Sequence, residues 1–255
     1  MAPENTLAAF VWAMEDGADG VELDVRLSSD GVPMVIHDST LRRTGLCEGI
    51  VSEMTSKQLG RTSVGDWFNR AHPQLARDEY RHEAIPTLDQ VLNFFKTRNQ
   101  SNNPVIYVEM KADKTREENV DLPASIVQLI DDYDFQNRVI VGSFNLKALA
   151  QIKQIDPSVR TGALFEPRRS AARMLSGRLI AAAVDCGAEE ILLHRLLATS
   201  RLIGLAAQKG LRSVVWTVDD QKWMSRAVRF GIHALITNNP AAMRFRVLTS
   251  VRLVT

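Results

Sequence analysis

The feature that most constrains the fold of this chain is a regular alternation of short apolar runs with helical stretches beyond Pro86. Apolar runs begin at residues 105, 139, 161, 190, 213 and 234. Stretches with helical spacing precede them at residues 87–96, 126–130, 146–155, 171–184, 199–209 and 222–230. Short strands that alternate with helices are joined by right-handed crossovers, so the pattern predicts a parallel sheet covered by helices.

The N-terminal part of the chain begins with a helix instead of a strand. Apolar residues recur at helical spacing from Leu7 to Met14, and Gly17 ends the pattern. Residues 20–27 and 32–36 then form two extended segments joined by a tight turn. With the strand at residue 20 the parallel strands number seven, whereas a closed barrel of this type needs eight.

We therefore predict an α/β fold of the TIM (β/α)8 barrel type that lacks its first strand. The absent strand is expected upstream of Met1, and the two strands beside the gap should then have exposed edges and open the core. An open doubly wound sheet would tolerate seven strands, but the sequence shows no glycine-rich phosphate loop after its first strand.

Residues 38–86 differ from the rest of the chain, because they are rich in polar and aromatic residues and show no long period. We interpret them as an insertion after the second extended segment, within a single domain of residues 1–255. A length of 255 residues suits one barrel of this class.

Composition excludes several function classes. Lys and Arg number 31 against 30 Asp and Glu, so the formal charge of +1 gives no bulk attraction to nucleic acid or anionic membranes. The sequence has no apolar run of membrane-spanning length, so we expect no stable membrane insertion. Cys47 and Cys186 show no metal-ligand spacing and no disulfide framework, which favours a reduced, cytoplasmic setting.

Two carboxylates lie on one face of the first strand. Side chains alternate along a strand, so Glu22 and Asp24 point to one side while Val21, Leu23 and Val25 point to the other. Two neighbouring anions are unfavourable unless a cation or a proton compensates them. The spacing predicts a metal site, although an isolated pair of this kind can also face solvent at a strand edge.

The strand at residues 105–110 repeats the pattern with Glu109 and, just beyond it, Lys111 on one face. The carboxyl ends of barrel strands converge on one mouth, so Glu22, Asp24 and Glu109 are expected to form an all-oxygen site suited to Mg²⁺ or Ca²⁺. Lys111 could hold a phosphate oxygen or form a salt bridge to these carboxylates. The sequence allows both roles.

Histidine 37 follows the second extended segment, where a loop can carry its side chain toward the same mouth. A histidine at this position could transfer protons near neutral pH, but a lone His before Asp also occurs as a turn residue. Spacing alone does not make His37 catalytic.

Several segments of the chain together resemble the glycerophosphodiester phosphodiesterases. They are PENTLAAF from Pro3, GADGVELDVRLSSDGVPMVIHD from Gly17, IPTL from Ile85, VEMK from Val108, VVWTVDD from Val214 and ITNNP from Ile236. The resemblance extends over nearly the whole chain. It implies a TIM barrel with a small insertion after the His-Asp motif.

The resemblance also implies site residues and an activity. The metal ligands of the family fall on Glu22, Asp24 and Glu109, one catalytic histidine falls on His37, and a lysine falls on Lys111. Pocket positions fall on Trp216 and Phe144, although Trp216 could equally be a core residue. The implied reaction is hydrolysis of a small glycerophosphodiester to glycerol 3-phosphate and an alcohol, with one divalent cation, Mg²⁺ or Ca²⁺.

Two positions depart from the pattern of the family. A His-Arg-Gly triplet ordinarily stands a few residues before PENT, whereas here only Met1 and Ala2 precede Pro3, so we expect impaired catalysis. Asn238 stands where the family usually has Asp. The alternatives are a barrel that binds a metal and a phosphodiester without turnover, or an enzyme that acts on lysophospholipid or sphingolipid head groups.

Overall fold

The computed structural model describes residues 1–98, 103–111, 121–167, 176–243 and 252–255. The helices in these ranges are α1 (Leu7–Glu15), α2 (Ser56–Leu59), α3 (Asp66–Ala71), α4 (Leu88–Thr97), α5 (Asp121–Tyr133), α6 (Leu146–Ile155), α7 (Ser176–Asp185), α8 (Ser200–Gln208), α9 (Lys222–Phe230) and α10 (Pro240–Met243). The strands are β1 (Gly20–Leu27), β2 (Pro33–Val35), β3 (Val105–Met110), β4 (Val139–Ser143), β5 (Arg160–Phe165), β6 (Glu190–His194), β7 (Arg212–Trp216), β8 (Ala234–Ile236) and β9 (Arg252–Val254).

The strands form a closed parallel barrel. β1, β3, β4, β5, β6, β7, β8 and β9 pair in that order, and β9 pairs in turn with β1. β2 runs antiparallel beside the outer half of β1, where Val25 is opposite Val35. The predicted TIM-type fold is confirmed, and the predicted strands agree with the structure to within a few residues. Residues 171–175 of the predicted helix at 171–184 lie outside the described residues.

The expectation of an open barrel is wrong, because β9 occupies the position between β8 and β1. Its register sets Arg252, Leu253 and Val254 beside Ala234, Leu235 and Ile236 of β8. On the other side the Thr255 amide donates to the Gly20 carbonyl at 3.1 Å, and the Asp19 amide donates to the Leu253 carbonyl at 2.7 Å. These pairings leave no exposed strand edge at this position.

Helices form on the outside of the barrel where sequence supplies both a cap and an apolar face. Thr87 caps α4 by accepting from the Gln90 amide, and the Gln90 side chain accepts from the Thr87 amide in return. Leu88, Val91 and Leu92 then recur at helical spacing and are fully buried against the strands.

The interior of the barrel is packed separately from this outer layer. Its apolar part consists of Val105, Tyr107, Ile140, Leu164, Leu192, Val214, Ala234, Ile236 and Val254, with Phe144 and Trp216 packed against them. At the amino-terminal end of the strands, the fully buried Glu190 accepts hydrogen bonds from Tyr107 Oη at 2.8 Å and Arg160 Nη2 at 2.6 Å. Arg212 Nη2 lies 3.0 Å from the same carboxylate. A compensated ionic cluster therefore closes this end of the barrel.

Residues 38–86 lie beside the opposite end of the barrel and contain short helical turns instead of a strand–helix repeat. Leu41, Leu59 and Val64 form a small buried cluster of their own with Met34 and Ile85. Trp67 and Phe68 on α3 are thereby held next to α1 and the barrel mouth. Within the described ranges, no helix has both the length and the apolar character needed to cross a bilayer.

Closure by β9 gives a stability prediction. Val254→Asp would bury an unpaired carboxylate at a position with no solvent exposure, so the free energy of unfolding should fall by at least about 3 kcal/mol. Leu196→Asp is the matched control, because Leu196 is 71% exposed and its replacement should change stability by less than about 0.5 kcal/mol. Urea denaturation measures both. Equal stability of the two variants would show that β9 does not close the barrel in solution.

Candidate active site

Three carboxylates meet at the carboxyl end of the barrel strands. β1 and β3 are parallel neighbours whose register sets Asp24 directly beside Glu109, and Glu22 lies one inward position earlier on β1. One oxygen from each of Glu22, Asp24 and Glu109 lies within 4.8 Å of the others. Asp24 and Glu109 are both buried. The structure thus brings together the three carboxylates that the sequence predicts as metal ligands.

Lys111 supplies a positive charge in direct contact with this cluster. Its Nζ lies 2.9 Å from Asp24 Oδ1 and 2.5 Å from Glu109 Oε1. Of the two roles open to Lys111 from the sequence, the salt bridge is therefore present. With every group ionised, three carboxylates and one ammonium would still carry an excess of negative charge.

The pKa values of these groups reflect that excess. Burial raises the pKa of Glu22 well above its ordinary value, and the neighbouring Asp24 and Glu109 carboxylates raise it further. Burial also raises the pKa of Glu109, against the opposing effect of Lys111. Burial alone would lower the pKa of Lys111, but Asp24 and Glu109 outweigh it and the pKa is raised.

Asn5 holds Asp24 in place from outside the strand. Its Nδ2 donates to Asp24 Oδ2 at 2.8 Å, while its Oδ1 accepts from the Asp24 backbone amide at 3.1 Å. Asn5 adopts a left-handed backbone conformation with φ of 56°, which asparagine tolerates better than most residues. One side chain therefore fixes both the strand backbone and the carboxylate.

His37 lies at the rim of the same site. It lines both the cavity around the carboxylates and an adjoining groove, as the sequence predicts for a histidine after β2. Its Nδ1 is 2.7 Å from Asp38 Oδ1, and its backbone carbonyl accepts from Arg26 Nε at 2.8 Å. These contacts orient the ring and leave Nε2 as the nitrogen that a ligand could reach.

A cavity of about 350 Å³ extends from the carboxylates into the barrel. Phe144 and Trp216 line it, with ring centroids 5.8 Å apart, and His194 packs against the other side of Trp216 at 5.2 Å. Trp216 therefore faces the cavity and also packs against its neighbours. Both predicted pocket residues lie on the wall of the cavity.

A second space of about 540 Å³ extends from Glu22, Asp24 and His37 toward α1 and the 38–86 segment. Trp12, Trp67, Phe68 and His72 contribute to its wall. The sequence alone gave no reason to place His72 near the site, because that placement depends on how the 38–86 segment packs against α1. We call this space the aromatic groove.

Asn238 lies on the wall of the aromatic groove beside Asp219. Its backbone amide donates to Asp219 Oδ1 at 2.8 Å and its Nδ2 donates to Asp219 Oδ2 at 3.0 Å. An aspartate at position 238 could not make the second of these bonds while ionised. The amide is thus the better partner for Asp219 in this chain.

Comparison with known proteins identifies the family. The sequence matches the Glycerophosphoryl diester phosphodiesterase family over residues 1–242. The chain belongs to this family. A glycerophosphodiester phosphodiesterase from Caldanaerobacter subterraneus is 31% identical over 248 residues, which cover 94% of this chain and 90% of that protein. One from Bacillus subtilis is 27% identical over 248 residues, covering 93% of this chain and 80% of its own length.

Solved structures show the same fold for the family. A glycerophosphodiester phosphodiesterase from Agrobacterium tumefaciens superposes with a TM-score of 0.75 at 25% identity, over 95% of this chain and 94% of that one. An Oleispira antarctica phosphodiesterase in complex with sn-glycerol-3-phosphate has a TM-score of 0.79 at 23% identity, over 95% of this chain and 90% of that one. As a member of the family, the chain is a phosphoric diester hydrolase.

The carboxylate cluster fits the requirements of a hard divalent cation. Mg²⁺ and Ca²⁺ prefer oxygen ligands, and the three carboxylates offer oxygens close enough for one ion to contact all of them. Burial and the neighbouring carboxylates raise the pKa of Glu22, and a bound cation would act in the opposite direction. Zinc is a poorer match, because the described part of the chain contributes no histidine or cysteine to the cluster.

Loss of one carboxylate should weaken cation binding. For Asp24→Asn we expect the affinity for Mg²⁺ or Ca²⁺ to fall by at least about 100-fold, more than the loss of a residue that only supports a ligand would cause. Isothermal titration calorimetry measures the affinity. Glu48→Gln is the control, since Glu48 is exposed and pairs only with Arg42 in the described part of the chain. Equal affinities in both variants would contradict the assignment.

Asn5→Ala tests the support of Asp24. The variant leaves all three carboxylates in place but removes both hydrogen bonds to Asp24, so cation affinity should fall by about 10-fold. The same titration compares it with Asp24→Asn. An affinity equal to that of the unaltered protein would show that the strand alone positions Asp24.

Proposed function

We propose that this chain hydrolyses glycerophosphodiesters to glycerol 3-phosphate and an alcohol, and that the reaction requires one divalent cation, Mg²⁺ or Ca²⁺. The observation that carries the proposal is the cluster of Glu22, Asp24 and Glu109 at the mouth of the barrel, with Lys111 and His37 beside it. Residues 1–255 would act as one phosphodiesterase domain that includes the 38–86 insertion.

The charges of the site suit a phosphodiester. A cation held by Glu22, Asp24 and Glu109 would neutralise phosphate oxygens and align the nucleophile. Lys111, which reaches Asp24 and Glu109 from the same face, would donate to a phosphate oxygen once a cation takes over part of its pairing. His37 would exchange a proton at Nε2, because Asp38 holds its Nδ1.

The cavity suits a glycerol moiety. Its volume of about 350 Å³ is bounded by the rings of Phe144 and Trp216, against which the carbon chain of glycerol can pack. The Trp216 indole N–H is buried and has no hydrogen-bond partner in the described ranges, so a glycerol hydroxyl could accept from it. The product complex of the Oleispira enzyme, which has the same fold, supports this class of ligand.

We propose that catalysis is slow while β9 occupies the barrel position beside β1. The strand position beside β1 that the family resemblance assigns to a His-Arg-Gly strand is filled here by β9 and Thr255. His37 would then act without a second histidine on that strand, and one acid or base group is typically worth about 10²- to 10⁴-fold. We also propose a cytoplasmic setting, which Cys47 and Cys186 support as free thiols.

The decisive assay is release of glycerol 3-phosphate from glycerophosphocholine. We expect release that depends on added Mg²⁺ or Ca²⁺ and stops with a chelator. His37→Asn should lower kcat by about 10²- to 10⁴-fold without loss of folding. His82→Asn is the control, because His82 is exposed and lines neither the cavity nor the aromatic groove.

Other outcomes would favour the alternatives. Binding of the cation and of glycerophosphocholine without any turnover would favour a barrel that only binds its ligand. Faster cleavage of lysophosphatidylcholine or a sphingolipid than of glycerophosphocholine would favour a lipid phosphodiesterase, for which the aromatic groove offers apolar wall area.

A further inference from the structure

An ion-paired chain of residues connects the N-terminal segment to His37. Arg43 donates from Nη1 and Nη2 to the two carboxylate oxygens of Glu4, both at 2.7 Å. From Nε it donates to Asp38 Oδ2 at 2.6 Å. The other oxygen of Asp38 lies 2.7 Å from His37 Nδ1. The guanidinium of Arg43 therefore bridges two carboxylates. One is Asp38, which contacts His37, and the other is Glu4, which lies 39 positions before Arg43 in sequence.

The geometry points to Arg43 as a positioning residue for the proposed reaction: through Asp38 it holds His37 with its proton on Nδ1 and with Nε2 presented to the phosphodiester. The inference rests on the proposed function, and it adds a role for a residue that does not itself line the cavity or the aromatic groove.

The first argument is geometric. A planar guanidinium can meet a carboxylate with two parallel hydrogen bonds, which fixes direction as well as distance. Glu4 accepts from both Nη1 and Nη2 of Arg43, and this pairing directs the remaining Nε–H toward Asp38. The Trp67 ring also lies against the guanidinium, with its centroid 5.6 Å from Arg43 Cζ. Arg43 therefore holds Asp38 in a single orientation.

The second argument concerns the proton of His37. A carboxylate accepts hydrogen bonds only, so an ionised Asp38 requires the proton on Nδ1 of a neutral His37 ring. Burial alone would raise the pKa of Asp38, but the hydrogen bonds from Arg43 and His37 outweigh it and lower the pKa. Arg43 thus helps to keep Asp38 ionised. Nε2 of His37 is left free to accept a proton, or to donate one when the ring is protonated.

The third argument is that the same segment serves both halves of the site. Glu4 anchors Arg43, and the adjacent Asn5 holds Asp24 of the metal cluster. Residues 4 and 5 therefore contact both parts of the proposed site: His37 through Arg43 and Asp38, and the carboxylate cluster through Asp24. A displacement of His37 relative to the cation would require this stretch to move.

The chain supplies a matched control in the neighbouring arginine. Arg42 also pairs with a carboxylate, Glu48, with Nε 2.9 Å from Oε2. Arg42 and Glu48 are both largely exposed, and neither lines the cavity or the aromatic groove. Arg42→Gln removes the same charge as Arg43→Gln from the adjacent position, without disturbing Asp38.

The test uses the Mg²⁺- or Ca²⁺-loaded chain with glycerophosphocholine. We expect Arg43→Gln to lower kcat by about 10- to 100-fold, as loss of an orienting partner does at comparable sites, with KM and cation affinity within about 2-fold. Nitrogen NMR of the His37 ring should show Nδ1 protonated in the neutral ring of the unaltered protein and a mixture of tautomers in Arg43→Gln. Arg42→Gln should match the unaltered protein in every measurement.

Two outcomes would overturn the inference. The first is a tautomer of His37 that does not change in Arg43→Gln, and the second is an equal loss of kcat in Arg42→Gln. If Arg43→Gln does not fold, Glu4→Gln replaces it, because that variant keeps Arg43 but weakens its anchor; an unchanged kcat there would also overturn the inference. If the unaltered protein cleaves no phosphodiester, the proposed function fails, whereas the NMR comparison still decides whether Arg43 orients His37.

Discussion

The site depends on the register between two neighbouring parallel strands. Pairing of β1 with β3 sets Asp24 directly beside Glu109, both on the inner face of the barrel. Two unit charges 4 Å apart repel by about 4 kcal/mol at an effective dielectric constant of 20, so this register is unfavourable without compensation. Lys111, two residues beyond Glu109, supplies part of it by reaching both carboxylates. A divalent cation would supply the remainder, so cation binding would also stabilise this strand register.

The rest of the site is built onto these strands from loops. Strands β1 and β3 position the three carboxylates, whereas His37, Asp38 and Arg43 belong to the segment that follows β2. Loops at a barrel mouth are free to vary, so they need tertiary contacts to hold a catalytic group in a single orientation. Here the contacts converge on Glu4 and Asn5 just before α1. The position of α1 against β1 therefore influences both the carboxylates and the histidine.

The periodic parts of the fold could be predicted from sequence, and the closure of the barrel could not. Alternation along residues 20–25 and 105–111 identifies the inward-facing Glu22, Asp24, Glu109 and Lys111, because side-chain direction in a strand depends only on position. β9 consists of Arg252–Val254 and lies beyond the strand–helix alternation that the sequence shows from residue 87 to the strand beginning at residue 234. Its position as a strand is defined by pairing with β8 and β1, a contact that local sequence does not encode.

Contacts between distant segments limited the prediction of the site in the same way. His37 could be proposed from its place after an extended segment, but the roles of Asn5 and Arg43 follow only from the folding of residues 4–5 against residues 24 and 38–43. His72 lines the aromatic groove together with Trp12 of α1, and no periodicity in residues 38–86 indicates that placement. The polar and aromatic composition of residues 38–86 distinguished this segment from the strand–helix repeats. It did not indicate which of its side chains face the barrel mouth.

The two ends of the barrel interior compensate buried charge in different ways. At the amino-terminal end of the strands one carboxylate, Glu190, meets Arg160, Arg212 and the Tyr107 hydroxyl, so its negative charge is fully matched. At the carboxyl end Lys111 pairs with Asp24 and Glu109, and Glu22 is the third carboxylate of the cluster. The same barrel thus pairs the buried Glu190 with two arginines and a hydroxyl. Among the described residues the cluster at the mouth therefore carries more negative than positive charge, and a divalent cation would compensate the difference.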